Sequence, residues 1–302
     1  MKKIVFVLMS VVMAFAVNNT LGQGCTQVTI YKLHYNAAAN RYDTIAFTAD
    51  ELTHGVQLSC DYPNDTLIPV AENLPRATTS YASEEITYDP PYAFNSGYDY
   101  VLPTDDIWGE LMSLGYNRPP EPAGTPTFEF NFYGNNYQHV VNGSNNLLSF
   151  NISVASPSPI SSGTGNPCAW SYSNAIPSPS LYMNTIMSPY HDIDFNFGGH
   201  MYFQVVGSYP CRKIILSFDS VPMYSCHTIC TDMMVLYETS NVIEFYMQSK
   251  PLCSTWNGGR AILGIQNSTG TQACAVAGHN STQWSATNKA YRIYPTGYAD
   301  PP

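Results

Sequence analysis

Charge is scarce in this sequence, and basic charge is scarcest. Only 11% of residues are charged, and 12 Lys and Arg face 22 Asp and Glu, a net charge of −10. A nucleic-acid backbone is bound through clustered basic side chains; no such cluster is present, so nucleic acid is excluded as a partner. Helix formers are thin as well. Only 105–114 (DDIWGELMSL) predicts a short helix, N-capped by Asp105 or Asp106, and it fits an edge strand equally. Catalytic signatures are missing: there is no Gly-x-Ser-x-Gly elbow, no His-Glu-x-x-His and no Gly-x-x-x-x-Gly-Lys loop. The glycine-rich run Ser161 to Asn166 lacks the lysine and following helix that a phosphate cradle needs.

Long apolar runs are limited to one. Lys2 and Lys3 precede the apolar stretch Ile4 to Val17, and a polar, small-residue segment follows to Gln23. That run is too short to span a membrane and matches a secretory signal peptide, residues 1–23. Cys25 directly after it raises lipidation as an alternative, although Gly22 stands where an acylation motif wants an apolar side chain. Removing Lys2 and Lys3 with the leader takes the net charge from −10 to −12. No further span is expected, so the mature chain is predicted to be exported to the cell surface or beyond.

What the sequence has in quantity is 23 Tyr, 22 Pro, 20 Gly and 8 Cys. All eight cysteines follow the leader, and an even number in an oxidising compartment points to disulfides. Cys226 and Cys230 are the pair expected to close a tight loop; the pairing of Cys25, Cys60, Cys168, Cys211, Cys253 and Cys274 stays open. Phe128, Phe130 and Phe132 alternate with polar residues as in a half-buried strand, and turns at Gly134–Asn136 and Asn142–Asn145 make a meander with Tyr137–Val141 and Leu147–Ile152. Further strands are expected at 200–206, 211–218, 233–239, 242–248, 260–266, 272–277 and 289–294, with a hairpin turn at Ser240-Asn241 and a long loop over 153–182. Short strands with Gly, Pro and Asn between them predict an all-β, antiparallel sandwich, jelly-roll-like, with long disulfide-stapled loops. The expected organisation is a small β-rich region at 24–77, a sandwich over 78–295 and the start of a linker at 296–302.

Several segments carry a resemblance in their order: FEFNFYGNNYQHVVNGSNNLLSF (128–150), IPSPSLYMNTIMSPYHDIDFNFGG (176–199), PCRKIILSFDSVPMYSC (210–226) and the run from ICTDMMVLYETSNVIEF to STGTQA (229–273). Together they resemble the N-terminal module of large Bacteroidetes surface proteins associated with gliding motility, and are similar to the nidogen-like extracellular domain. The resemblance covers about 78–295. It implies an extracellular β-sandwich with a structural or adhesive role, no catalysis, and a place at the N-terminal part of a larger multidomain protein. Its implied partner is an extracellular glycan or protein surface.

Candidate site residues are few. Asp192, Asp194 and Asn196 alternate before Gly198 and Gly199, as oxygen ligands of a calcium ion do, although Phe197 occupies the place where an EF-hand turn has glycine. The same alternation fits a strand edge with polar residues outward. Calcium is the one cofactor suggested. His191 and His200 flank these acids, and Cys226-His227-Thr228-Ile229-Cys230 has zinc-like spacing without a second ligand pair. Trp170, Trp256 and Trp284 are candidates for stacking on sugar rings, which makes a secreted carbohydrate-binding module the alternative function. A glycoside hydrolase would need a carboxylate pair drawn from Glu238, Glu244, Asp192 and Asp194.

Overall fold

The computed structural model describes residues 29–30, 32–36, 41–45, 69–70 and 77–299, apart from 101, 103, 116–122, 162, 171–173, 210 and 239. The expected signal peptide, Cys25 and Cys60 lie outside the described residues. The chain divides into two units, Met1–Leu74 and Pro75–Pro302. In the first, β1 (Thr29–Ile30) pairs with β4 (Pro69–Val70), and β2 (Lys32–Asn36) forms a hairpin with β3 (Arg41–Ile45).

The second unit is an antiparallel sandwich. Its strands are β5 (Ala77–Ile86), β6 (Tyr98–Asp99), β7 (Met112–Ser113), β8 (Phe130–Phe132), β9 (Asn135–Tyr137), β10 (His139–Gly143), β11 (Leu147–Ser149), β12 (Thr185–Tyr190), β13 (His200–Val206), β14 (Lys213–Pro222), β15 (Ile229–Tyr237), β16 (Ile243–Lys250), β17 (Arg260–Gln266), β18 (Ala273–Gln283) and β19 (Ala286–Ala299). One sheet runs β5-β19-β16-β15-β14-β13-β6 and the other β18-β17-β12-β11-β10-β7, with β8 and β9 as a separate hairpin. β13 to β16 form an uninterrupted meander.

Strand pattern explains placement. Along β13, Met201, Phe203 and Val205 are buried while the residues between them are more exposed, so one face meets the core and the other faces outward. Most of β15 and the first five residues of β16 are buried on both faces, apolar except for residues such as Asp232 and Glu244. Their inner side chains, such as Met234, Leu236, Phe245 and Met247, meet Leu148, Ile186 and Leu263 of the other sheet. Their outer side chains, including Met233, Val235 and Tyr246, are covered by Ile86, Tyr88, Tyr92 and Phe94.

Several sequence expectations are corrected. Residues 105–114 form no helix, and the edge-strand alternative holds: Ile107 and Trp108 make bridges to Pro167 and Gly143, and Met112–Ser113 is the edge strand β7. Trp108 is 1% exposed and belongs to the core, so its burial overrides the local helical pattern. Thr185–Tyr190, not anticipated as a strand, lies between β11 and β17; its Pro189 falls within a register shift. The expected linker start is strand as far as Ala299, because β19 continues its pairing with β5 down to Ala77.

The outer face of the larger sheet buries a charge network. Glu244 accepts from Tyr237 and Tyr246 hydroxyls, each at 2.6 Å, and from Arg292 Nε and Nη2 at 2.8 and 2.7 Å. A second buried pair lies beside the Phe128 ring of the core between the sheets, where Arg212 grips Glu238 through Nε at 2.8 Å and through Nη2, both side chains being nearly inaccessible. Removing one partner of such a pair strands a buried charge. Arg292→Ala is therefore expected to lower unfolding free energy by about 3–5 kcal/mol, measured as a shifted urea midpoint. A loss below about 1 kcal/mol would show that Arg292 does not neutralise Glu244.

Candidate functional site at one end of the sandwich

The segment Asp192-Ile193-Asp194 leaves β12 at one end of the sandwich. Ile193 is buried and bridges Met223, so its two neighbours are turned away from it along the extended backbone. Asp194 is spent locally: its Oδ1 accepts from the Asn196 backbone N–H at 2.7 Å and caps the 3-10 turn Phe195–Phe197. Asn196 itself is exposed. The turn closes through Gly199 at φ +87°, where an added Cβ would lie 2.5 Å from Val221 Cα.

Asp192 meets a different pair. Its carboxylate and those of Asp105 and Asp106 place ligand oxygens within 4.8 Å of one another. The 105–106 segment is fixed from behind. Cys168 N–H donates to Asp106 O at 2.7 Å, Trp108 N–H to Asn166 O at 2.8 Å, and Ile107 N–H to Ser144 Oγ at 3.1 Å. Asn145 joins the two acidic segments, donating to Asp106 Oδ1 at 2.8 Å and accepting from Ile193 N–H at 3.1 Å. Burial, then the charges of Asp106, Asp194 and Asp192, push the Asp105 carboxyl up to about 8, against a backbone hydrogen bond that lowers it. Burial pushes Asp192 up to about 6 despite the hydrogen bond from Trp256. Asp105 Oδ1 is buried without a hydrogen-bond partner.

Aromatic side chains frame these acids. Trp256 Nε1–H donates to Asp192 Oδ2 at 2.5 Å. With its amide oxygen turned toward the indoles, Asn257 accepts from Trp170 at 2.7 Å and Trp256 at 3.0 Å. Tyr224 and Trp256 pack with ring centroids 4.7 Å apart, and Phe197 and His227 with centroids 4.1 Å apart. The Cys226–Cys253 disulfide clamps the loop carrying Tyr224 and His227 to the loop carrying Trp256.

The anticipated residues therefore divide. Of Asp192, Asp194 and Asn196, only Asp192 joins the acidic cluster; Asp194 is used as a cap and Asn196 faces solvent. Trp170 and Trp256 converge on Asn257, whereas Trp284 is 8% exposed, donates to Ala261 O and lies under the Lys250 ammonium, a core role. Cys226 pairs with Cys253 and not with Cys230, because Cys230 sits on β15 with its side chain in the core. Cys168, Cys230 and Cys274 are free, and Cys211 is disulfide-bonded. His191 is buried in the interior, while His200 is exposed and pairs with Asp99 at 2.9 Å. Glu238 and Glu244 are held by Arg212 and Arg292. The sequence reading missed Asp105 and Asp106 as site residues because their place before an apolar run looked like a helix cap.

Residues 122–297 match the family described as NIDO related. The chain belongs to the NIDO-related family. No curated protein and no solved structure matches it. The NIDO-related span contains Asn145, Asp192, Tyr224 and Trp256, while Asp105 and Asp106 precede it. The acidic cluster thus joins the NIDO-related domain to residues upstream of the matched span. The family and the Cys226–Cys253 disulfide agree with an extracellular module. No helix among the described residues is long and apolar enough to cross a membrane.

The raised carboxyls give a pH signature. In the unfolded chain both lose their protons near pH 4, whereas the folded chain keeps them to about 6 at Asp192 and about 8 at Asp105. Their contribution is fully present below pH of about 4 and is lost as pH rises through those values. Asp105→Asn should therefore gain stability relative to the parent between pH of about 4 and 8, read as melting temperature across that range. Parallel profiles for the two proteins would overturn the assignment.

Proposed function

We propose that this chain is a non-catalytic extracellular module that adheres to a surface or partner through the acidic and aromatic end of its sandwich. In this reading it forms the N-terminal part of a larger surface protein of the gliding-associated kind. The observation that carries it is the Cys226–Cys253 clamp, which fixes two loops bearing exposed aromatic side chains. Preorganised loops lose little entropy on contact, which is what an attachment surface needs. The glycoside hydrolase alternative lacks support from Glu238 and Glu244, both engaged by arginines. Beads coated with the protein should stick to extracellular matrix or cell-surface preparations, and Trp256→Ala should release them at lower shear. Turnover of a glycan by the purified chain, abolished by Asp192→Asn, would replace adhesion with catalysis.

A second reading concerns calcium as a structural ion. Asp105, Asp106 and Asp192 offer three carboxylates at a spacing that a hard cation spans, and neutralising them would relieve the strain in their titration. Calcium at a hundredfold excess over its Kd would stabilise the fold by about 2.7 kcal/mol. A melting-temperature rise with calcium, reversed by chelator and absent in the Asp105→Asn, Asp192→Asn double variant, is the expected result. No shift at millimolar calcium would remove the ion from the account.

A further inference from the structure

Four of the ten exposed large hydrophobic side chains among the described residues gather at this end. Phe197 (55% exposed), Tyr224 (38%), Leu252 (41%) and Trp256 (37%) belong to the turn after Asp194 and to the two loops joined by the disulfide. Trp256 has its polar edge committed to Asp192, so what it offers a ligand is its ring face. Beside the rings stand hydrogen-bonding groups, the Asp192 carboxylate bonded to Trp256 and the Asp105 and Asp106 carboxylates next to it. We infer that this end binds an uncharged pyranose glycan, one ring stacked on the exposed Trp256 face and bordered by the inclined Tyr224 ring, with its hydroxyls directed at the neighbouring carboxylates. The inference rests on the adhesive reading above and names its ligand.

Three arguments select this occupant. The first is size. Residues of this kind have areas of roughly 150–250 Å², so the four expose on the order of 350 Å² together, well short of the roughly 800 Å² per partner that a stable protein interface buries. A few sugar rings fit that area, and weak single sites gain strength when many copies act on one surface. The second is shape of polarity. A pyranose presents an apolar C–H face bordered by hydroxyls, which matches ring faces bordered by acceptors. The third is charge. The net charge of −10 disfavours sulfated or sialylated chains.

The test uses the whole purified chain with its disulfides intact, titrated by calorimetry with neutral oligosaccharides (cellohexaose, mannohexaose and N-acetylchitohexaose), with sulfated and sialylated glycans, and with an oligolysine peptide. The expected result is saturable binding of at least one neutral oligosaccharide, weakened at least tenfold by Tyr224→Ala. Phe197→Ala should weaken it less, since that ring lies against His227 and not against Trp256. Both residues are exposed, and unchanged melting temperatures would confirm that the variants fold. Trp256→Phe keeps an aromatic face while removing the hydrogen bond to Asp192, and should retain part of the affinity. Binding of the sulfated or sialylated glycans or oligolysine in place of neutral glycans overturns the inference, as does neutral-glycan binding unaffected by Tyr224→Ala. If no glycan binds while coated beads still adhere, the ligand assignment fails and the adhesive reading stands; if neither occurs, both fail.

Discussion

The turn between β10 and β11 is buried, and the arrangement of the functional end depends on that. Asn142, Ser144, Asn145 and Asn146 are all inaccessible to solvent, although turns ordinarily lie at the surface where water satisfies them. Here protein groups take water's place for most of them, while Asn142 Oδ1 and Asn146 Oδ1 are buried without a hydrogen-bond partner. Ser144 exchanges hydrogen bonds with the Ile107 backbone, Asn145 reaches Asp106, Cys168 O and Ile193 N–H, and Asn146 meets Ser188 N–H and Asp232. One short turn thereby ties the 105–108 segment, the end of β12 and the middle of β15. Deeper in, burial holds Asp232 well above and His191 well below their ordinary pKa values, so both favour their neutral forms.

Acids in this protein fall into two populations. Glu238 and Glu244 are buried against arginine partners, and the tyrosine hydroxyls add further donors to Glu244. These are closed units: every strong charge has a match, and they hold strands together. Asp105, Asp106 and Asp192 converge without a salt bridge to any of them among the described residues, and two of the three have raised pKa values. Stability alone gives no reason to gather like charges in this way. Local conflict of this kind, set beside exposed ring faces, marks a place where the fold accommodates something other than itself.

Much of the sandwich was legible because half-buried and fully buried strands leave direct patterns. Phe130 and Phe132 and the apolar residues of β15 and β16 announced their strands, although β8 is buried throughout and pairs in a separate hairpin with β9, not in the expected meander with β10 and β11. β12 was hidden because its proline and its small polar residues, Thr185 and Ser188, suppress the apolar signal, although all six of its residues are buried. The site was half legible. Asp192 and Trp256 were picked out, each for its chemistry, yet neither the hydrogen bond between them nor the partnership of Asp192 with Asp105 and Asp106 can be read from positions so far apart in the chain. Cys226 was likewise assigned to a nearby cysteine, since sequence distance is all that a sequence offers. In the fold Cys230 points inward, and Cys253 is brought alongside by the return of β16.

That disulfide explains how an end made of loops can act as a surface. It closes a separation of 27 residues, and loop-closure entropy assigns such a link about 3–4 kcal/mol through the unfolded chain. Its second effect is local. The loops after β14 and β16 would otherwise move independently, and the Tyr224–Trp256 contact would have to form on each encounter with a ligand. With Cys226 and Cys253 joined, and Trp256 hydrogen-bonded to Asp192, that ordering is completed during folding. An acidic cluster built on the buried turn and an aromatic pair built on the disulfide then meet at a single hydrogen bond, from the Trp256 indole to the Asp192 carboxylate. A change in the charge of Asp192, by protonation or by a bound cation, must therefore be felt by the ring that faces solvent.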